Sequence, residues 1–266
     1  MIYDETKLRS PGDHGIDQYT LHYAGLSLLG GEVGPSWRLG LHMLQTASDL
    51  DYVPSTLTLI SLVAKTDPDS NTSFPNVMPR FDKIVRSGRN PDALTLQGIL
   101  LRRQQQGTEA LAYFDRAIKA AAGTGTGDST KLSETTEIDG SSVSAGDSTA
   151  TERVPRWSLE ASCYLERGRL FLQEGRKEAA EASFRVAALE LDTTEAYLEL
   201  AQLLPEGMQA REDCLLKAAV SLNQKACLLL GEAELQKAQE ADPSDARKRD
   251  HQTKASEWFH LAGQPR

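Results

Sequence analysis

Apolar residues recur at intervals of three and four along most of the chain, parted by glycine, proline and short polar breaks. That period marks helices with one buried side. Two stretches repeat each other. Leu94, Gly98, Leu101, Ala110, Phe114 and Ala117 carry the spacings 4, 3, 9, 4 and 3, and so do Tyr164, Gly168, Phe171, Ala180, Phe184 and Ala187. Each reads as two antiparallel helices, with Gly107 and Gly175 ending the first of the pair. Upstream, Tyr19, Tyr23, Ala24 and Leu28 make one helix and Trp37, Leu41, Leu44 and Ala47 its partner, with Gly30, Gly31, Gly34 and Pro35 as the break. Further helices are expected from Pro54 to about Lys65 and from Pro79 to about Ser87, with a loop over 67–75 between them. Thr56–Val63 is rich in strand formers, but the repeat context assigns it to a helix. The pattern predicts about twelve helices in about six pairs.

The two matching stretches resemble the tetratricopeptide repeat family. In its pattern a bulky apolar residue lies four before a glycine and another three after it, followed on the second helix by alanine, an aromatic and alanine. The small Gly98, Gly168, Ala110 and Ala180 let helix backbones approach, and Phe114 and Phe184 plug the gap toward the next pair. Farther on, Leu215–Ala219, Lys225–Cys227 and Leu230–Glu232, around Gly231, resemble the related Sel1-like repeat. Ala255–Gly263, with Trp258 and Phe259, is similar to the end of a second helix of that type. The resemblance covers 92–122 and 155–263, and the first 90 residues follow by extension. It implies an all-α, right-handed α-solenoid of stacked helix pairs, because one pair cannot bury its apolar face alone.

One segment departs from the pattern. Residues 123–152 are built from Gly, Ser, Thr, Asp and Glu, with Leu132, Ile138 and Val143 as their only large apolar residues. Such a stretch cannot bury enough surface to offset ordering entropy, so a disordered insertion is expected there. The domain reading is therefore 1–122, 123–152 and 153–266. The insertion holds six acids and one lysine, a net −5 of the chain's −9. It could fold back over basic groove residues and compete with an acidic ligand.

Composition narrows the chemistry. The 266 residues are 39% hydrophobic and only 6% aromatic, ordinary for a folded helical protein. The acidic balance disfavours a nucleic-acid binder that works by neutralising phosphates. No run of about 18 apolar residues is long enough to cross a membrane. The start, Met1–Lys7, is neither a secretory signal nor a basic presequence, so cytoplasmic residence is expected, with a mitochondrial one if the sequence begins after a leader. Cys163, Cys214 and Cys227 are odd in number and far apart, which fits reduced core thiols.

No phosphate loop, zinc motif or nucleophile elbow occurs. Gly123, Gly125 and Gly127 follow a helix and enter the insertion, where a phosphate cradle would need a strand before it. His14, His22, His42, His251 and His260 lack ligand spacing, although His22 and His42 lie on facing helices. The Glu178 and Glu181 pair reads as a solvated helix face, and so does Arg247–Arg249 amid Asp242, Asp245 and Asp250. Neither a metal nor a cofactor is expected, and no catalytic residue.

What remains is the concave surface that the resemblance implies. Its groove positions fall on Thr95, Ile99, Arg102 and Arg103 of the first clear repeat and on Leu165, Arg169 and Gln173 of the second. The Lys and Asn clamp by which some relatives hold a chaperone's carboxylate is missing: Thr95, Ile99, Leu165 and Arg169 stand there. The arginines favour an acidic or amphipathic protein segment. The expectation is a non-enzymatic scaffold or adaptor. The alternatives are an organelle biogenesis or quality-control assembly factor and a helical-hairpin RNA-binding protein.

Overall fold

A computed structural model describes residues 15–30, 35–65, 74, 76–124, 153–241 and 246–263. Twelve α-helices are formed among them, with no strand. The chain divides into two compact units, Met1–Lys131 and Leu132–Arg266.

The first unit holds α1 (Gln18–Leu29), α2 (Pro35–Asp49), α3 (Val53–Lys65), α4 (Val77–Ser87), α5 (Pro91–Arg103) and α6 (Gly107–Thr124). Neighbours pack as α1 on α2, α3 on α4 and α5 on α6. Its largest fully buried side chains include Phe81, Phe114, Leu44, Leu59, Ile60 and Leu94. Helix α3 forms despite its strand formers, because Leu59, Ile60, Val63 and Ala64 share one buried side at helical spacing. Burial of that side outweighs a propensity difference of a few tenths of a kcal/mol per residue.

The second unit holds α7 (Glu160–Gln173), α8 (Lys177–Arg185), α9 (Thr194–Leu203), α10 (Gln209–Val220), α11 (Gln224–Glu240) and α12 (Ala246–Leu261). A π-helical turn, Val186–Glu190, extends α8. The pairs are α7 with α8, α9 with α10 and α11 with α12. Each unit is thus a stack of antiparallel helix pairs, the all-α solenoid fold that the repeats imply.

Local chemistry sets the ends. Asn90 accepts from the Ala93 N–H at 2.9 Å, and Asn223 from the Ala226 N–H at 3.1 Å, each satisfying a donor of the first turn. Four helices end in the same left-handed turn, with positive φ at Asp51 (60°), Gln105 (63°), Gly175 (74°) and Leu222 (61°). At Gly175 the N–H donates to Leu172 O and the next N–H, of Arg176, to Phe171 O. Gln105 repeats that arrangement toward Arg102 and Leu101, and Leu222 toward Ala219 and Ala218.

Three boundaries differ from the sequence reading. Gly107 does not end α5: Gln105 makes the left-handed turn, and Gly107 is the first residue of α6. Helix α4 starts at Val77, two residues before Pro79. Helix α6 runs on to Thr124, two residues into the expected insertion. The rest of that insertion, 125–152, and most of the expected loop at 67–75 lie outside the described residues.

Candidate functional site

In three of the six described helix pairs a glycine packs against a ring. A Cβ at Gly98 would lie 2.6 Å from Phe114 Cε1, and one at Gly168 would lie 2.5 Å from Phe184 Cε1. Both rings are fully buried. The same contact recurs between Gly231 and Phe259, at 2.7 Å. There glycine and ring are 28 residues apart instead of 16, so the geometry is kept across a longer connection. The first pair solves the problem differently. A Cβ at Gly25 would lie 2.9 Å from Gly40 O, and one at Gly40 2.8 Å from Gly25 O. Here two backbones touch and no ring intervenes.

The expected groove residues separate by burial. Thr95 is 0% exposed, and its hydroxyl donates to Pro91 O at 2.8 Å. Leu165 is buried as well. Ile99 and Arg102 are half-buried, and Arg103 and Gln173 are exposed. Arg169 is half-buried between two carboxylates, donating to Glu166 at 2.9 Å and to Glu199 of α9 at 2.9 Å. Its charge is therefore offset within the second unit.

A second ionic cluster was not visible in the sequence. Glu160, 0% exposed, accepts from both terminal nitrogens of Arg153, from the Arg156 N–H at 2.6 Å, and from Arg156 Nε and Nη2. Arg153 also reaches Glu190, side chain to side chain at 2.7 Å and N–H to carbonyl at 2.9 Å. Residues 153–156 thereby strap the start of α7 to the π-helical turn. Burial pushes the Glu160 carboxyl up, but the hydrogen bonds from Arg153 and Arg156 outweigh it and hold it below its ordinary value. Periodicity gives no warning of this, because Glu160 reads as an ordinary first-turn acid. Farther on, Lys237 sits between Glu212 and Glu234, both at 2.9 Å, and His251 Nδ1 lies 2.7 Å from Glu234. This ties α10, α11 and α12 together.

The first unit holds a neutral polar cluster instead. Buried His22 Nδ1 is 2.9 Å from Ser55 Oγ, and Ser48 and Thr56 hydroxyls meet at 2.8 Å. Tyr52 lies edge-on to the His22 ring. Burial lowers the His22 pKa. Ser55 is fully buried, so the pair offers no nucleophile to a substrate. His22 thus meets Ser55 of α3. The thiols of Cys163, Cys214 and Cys227 are buried, and burial pushes Cys214 up to about 11, away from reactivity. Among the described residues no three His, Cys, Asp or Glu side chains gather as a metal site would require.

Stacked antiparallel pairs with small-residue contacts at their crossings define a helical-hairpin repeat protein of tetratricopeptide and Sel1-like fold. One solved structure shares this fold. A Sel1 repeat protein from Oxalobacter formigenes superposes with a TM-score of 0.57 at 16% identity, over 94% of this chain and 89% of that one. Two structures of MamA give TM-scores of 0.43 and 0.42 at 13% identity, covering 73% and 79% of this chain and 89% and 91% of theirs. The likeness to the Sel1 repeat protein is one of fold. No family model matches the sequence, and no curated protein does.

Proposed function

We propose that the chain is a non-enzymatic scaffold that binds a protein partner on the exposed side of its first helices. The observation that carries this is the repeated glycine–ring contact. It commits the inner sides of the hairpins to stacking and leaves the first-helix outer positions for recognition. In the first unit Ile99, Arg102 and Arg103 offer an apolar step beside two cations, and Thr95 serves as floor. In the second unit Gln173 and Arg169 serve over Leu165, and an acidic ligand must displace Glu166 or Glu199 to reach Arg169. An acidic or amphipathic segment is the partner that such arginines favour.

The test is affinity purification with the tagged full-length chain, repeated with Arg102→Glu/Arg103→Glu. Partner recovery should fall at least about tenfold, which corresponds to roughly 1.4 kcal/mol, with the circular dichroism melt unchanged. Equal recovery would remove α5 from the binding surface. Cytoplasmic residence belongs to the same proposal, and fractionation into mitochondria would favour an organelle assembly role instead. No described helix is long and apolar enough to cross a membrane.

A further inference from the structure

Charge is spread unevenly over the chain. Its net is −9, yet residues 77–124 carry eight Lys and Arg against four Asp and Glu. Other arginines are offset locally: Arg80, Arg153, Arg156, Arg169, Arg185 and Arg211 each reach a carboxylate. Arg86, Arg89 and Arg116 do not. All three are exposed, and among the described residues no carboxylate stands within ion-pair distance of them.

The three belong to one turn. Arg86 lies in the last turn of α4 and Arg89 just beyond it, on either side of Gly88. Gly88 turns the chain at a φ of 67°, and a Cβ there would lie 3.6 Å from Arg116 Nη2. The α6 guanidinium therefore rests beside the α4/α5 turn, where glycine leaves it uncovered. Arg116 is also stacked on the Tyr113 ring, 4.8 Å from its centroid. Stacking engages a face of the guanidinium and leaves its N–H edges available to donate. This place lies at the opposite end of α5 from Arg102 and Arg103, about 20 Å away along the 13-residue helix.

Guanidinium groups without a counter-charge call for an anion, and the surroundings restrict which. Asp82, Asp92 and Asp115 stand within four residues of these arginines, so a long acidic run is repelled more than one compact dianion. The net charge opposes a nucleic acid, and the Tyr113 ring lies against Arg116 instead of offering itself to a base. An exposed turn gives a free metabolite no walls, whereas a phosphate carried on a peptide brings flanking residues that add contacts. We infer that the α4/α5 turn and α6 form a second binding surface, on which Arg86, Arg89 and Arg116 hold the phosphate of a phosphorylated serine or threonine in a partner protein. At neutral pH that group carries nearly two charges and three acceptor oxygens, a match for guanidinium donors.

Phosphorus NMR at low salt tests this, with the full-length chain titrated into an otherwise uncharged peptide bearing one phosphoserine. The peptide should bind with a dissociation constant below about 1 mM. Its unphosphorylated twin, followed by proton NMR, should not bind. Arg86→Gln/Arg89→Gln/Arg116→Gln should weaken binding at least about tenfold, with the circular dichroism melt unchanged. Arg102→Glu/Arg103→Glu should leave it intact, which separates this surface from the one proposed on α5. A phosphopeptide that does not bind overturns the inference. So does equal binding of the twin, or binding that ignores the triple substitution. Inorganic phosphate that binds as tightly as the phosphopeptide would also overturn it, because the site would then hold a free ion and not a protein partner.

Discussion

The α7/α8 hairpin and the α1/α2 hairpin solve one packing problem in two ways. In the first, Gly168 admits the edge of a buried ring, Phe184. In the second, Gly25 and Gly40 admit each other's carbonyls. A ring is a side chain and can be exchanged for a smaller one. A carbonyl cannot. The surroundings differ too. Helix α7 is strapped by ions, with Glu160 beneath Arg153 and Arg156. Helix α1 is held by neutral polar contacts through His22. The same fold thus rests on a side-chain plug with charged reinforcement in one unit. In the first pair of the other it rests on backbone contact with a titratable neutral pair.

The largest effect should come from removing the plug. Phe184→Ala should cost about 3–5 kcal/mol, because the ring is fully buried. Chemical denaturation measures it, and a loss below about 1 kcal/mol would remove the ring from the core of the hairpin.

Next is the strap. Glu160→Gln removes the charge that two arginines share and should cost about 2–4 kcal/mol. That is the low end for breaking a buried pair, since both arginines reach water. Limited trypsin digestion should then open the bonds after Arg153 and Arg156 faster than in the parent chain.

Acid should separate the two units. Burial depresses His22, so its stabilisation is complete above the ordinary value of 6.5 and is lost as pH falls through the lower folded value. Glu160 is also depressed, so its contribution is present above the ordinary 4.5 and is lost only as pH falls through its lower folded value. Hydrogen exchange followed by mass spectrometry from pH 7 downward should show α1 and α3 loosening before α7. Replacing His22 by Gln should abolish the earlier step. Simultaneous loosening of both would contradict the assignment.

The smallest effect should be favourable. Leu222 is 80% exposed at a φ of 61°, in the turn where Gly175 serves the α7/α8 hairpin. Leu222→Gly should raise stability by about 0.5–1 kcal/mol, read as a small rise in Tm. A fall would show that the leucine makes contacts worth more than its backbone cost.

The repeats were legible because they rest on spacing. Gly98, Phe114, Gly168 and Phe184 announce themselves through a matched interval, and α3 followed from context against its own propensities. The Gly231–Phe259 contact was half legible. Both residues stood in recognisable segments, but a 28-residue separation hides the pairing. Gly107 misled because glycine is the usual left-handed residue, whereas the neighbouring Gln105 takes that conformation here. The groove positions transferred by register, but register does not report burial or pairing. Thr95 proved buried, and Arg169 already carries two carboxylates. The Glu160 strap and the His22–Ser55 contact join residues by three-dimensional placement alone, which no local pattern encodes.

The glycine–ring contact shared by α5/α6, α7/α8 and α11/α12 is tested most directly where the sequence hides it. Gly231→Ala, Phe259→Leu and the double variant should be compared by denaturant unfolding of the full chain. If the ring faces the glycine, the added methyl has no room until the ring is replaced. The double variant should then be more stable than the sum of the single losses implies, by about 1 kcal/mol or more. The same cycle on Gly25, where Gly40 O at 2.9 Å stands beside Leu44 Cγ at 3.0 Å, should show a smaller relief from truncating Leu44, because the carbonyl stays. Strict additivity at Gly231 and Phe259 would contradict the shared geometry.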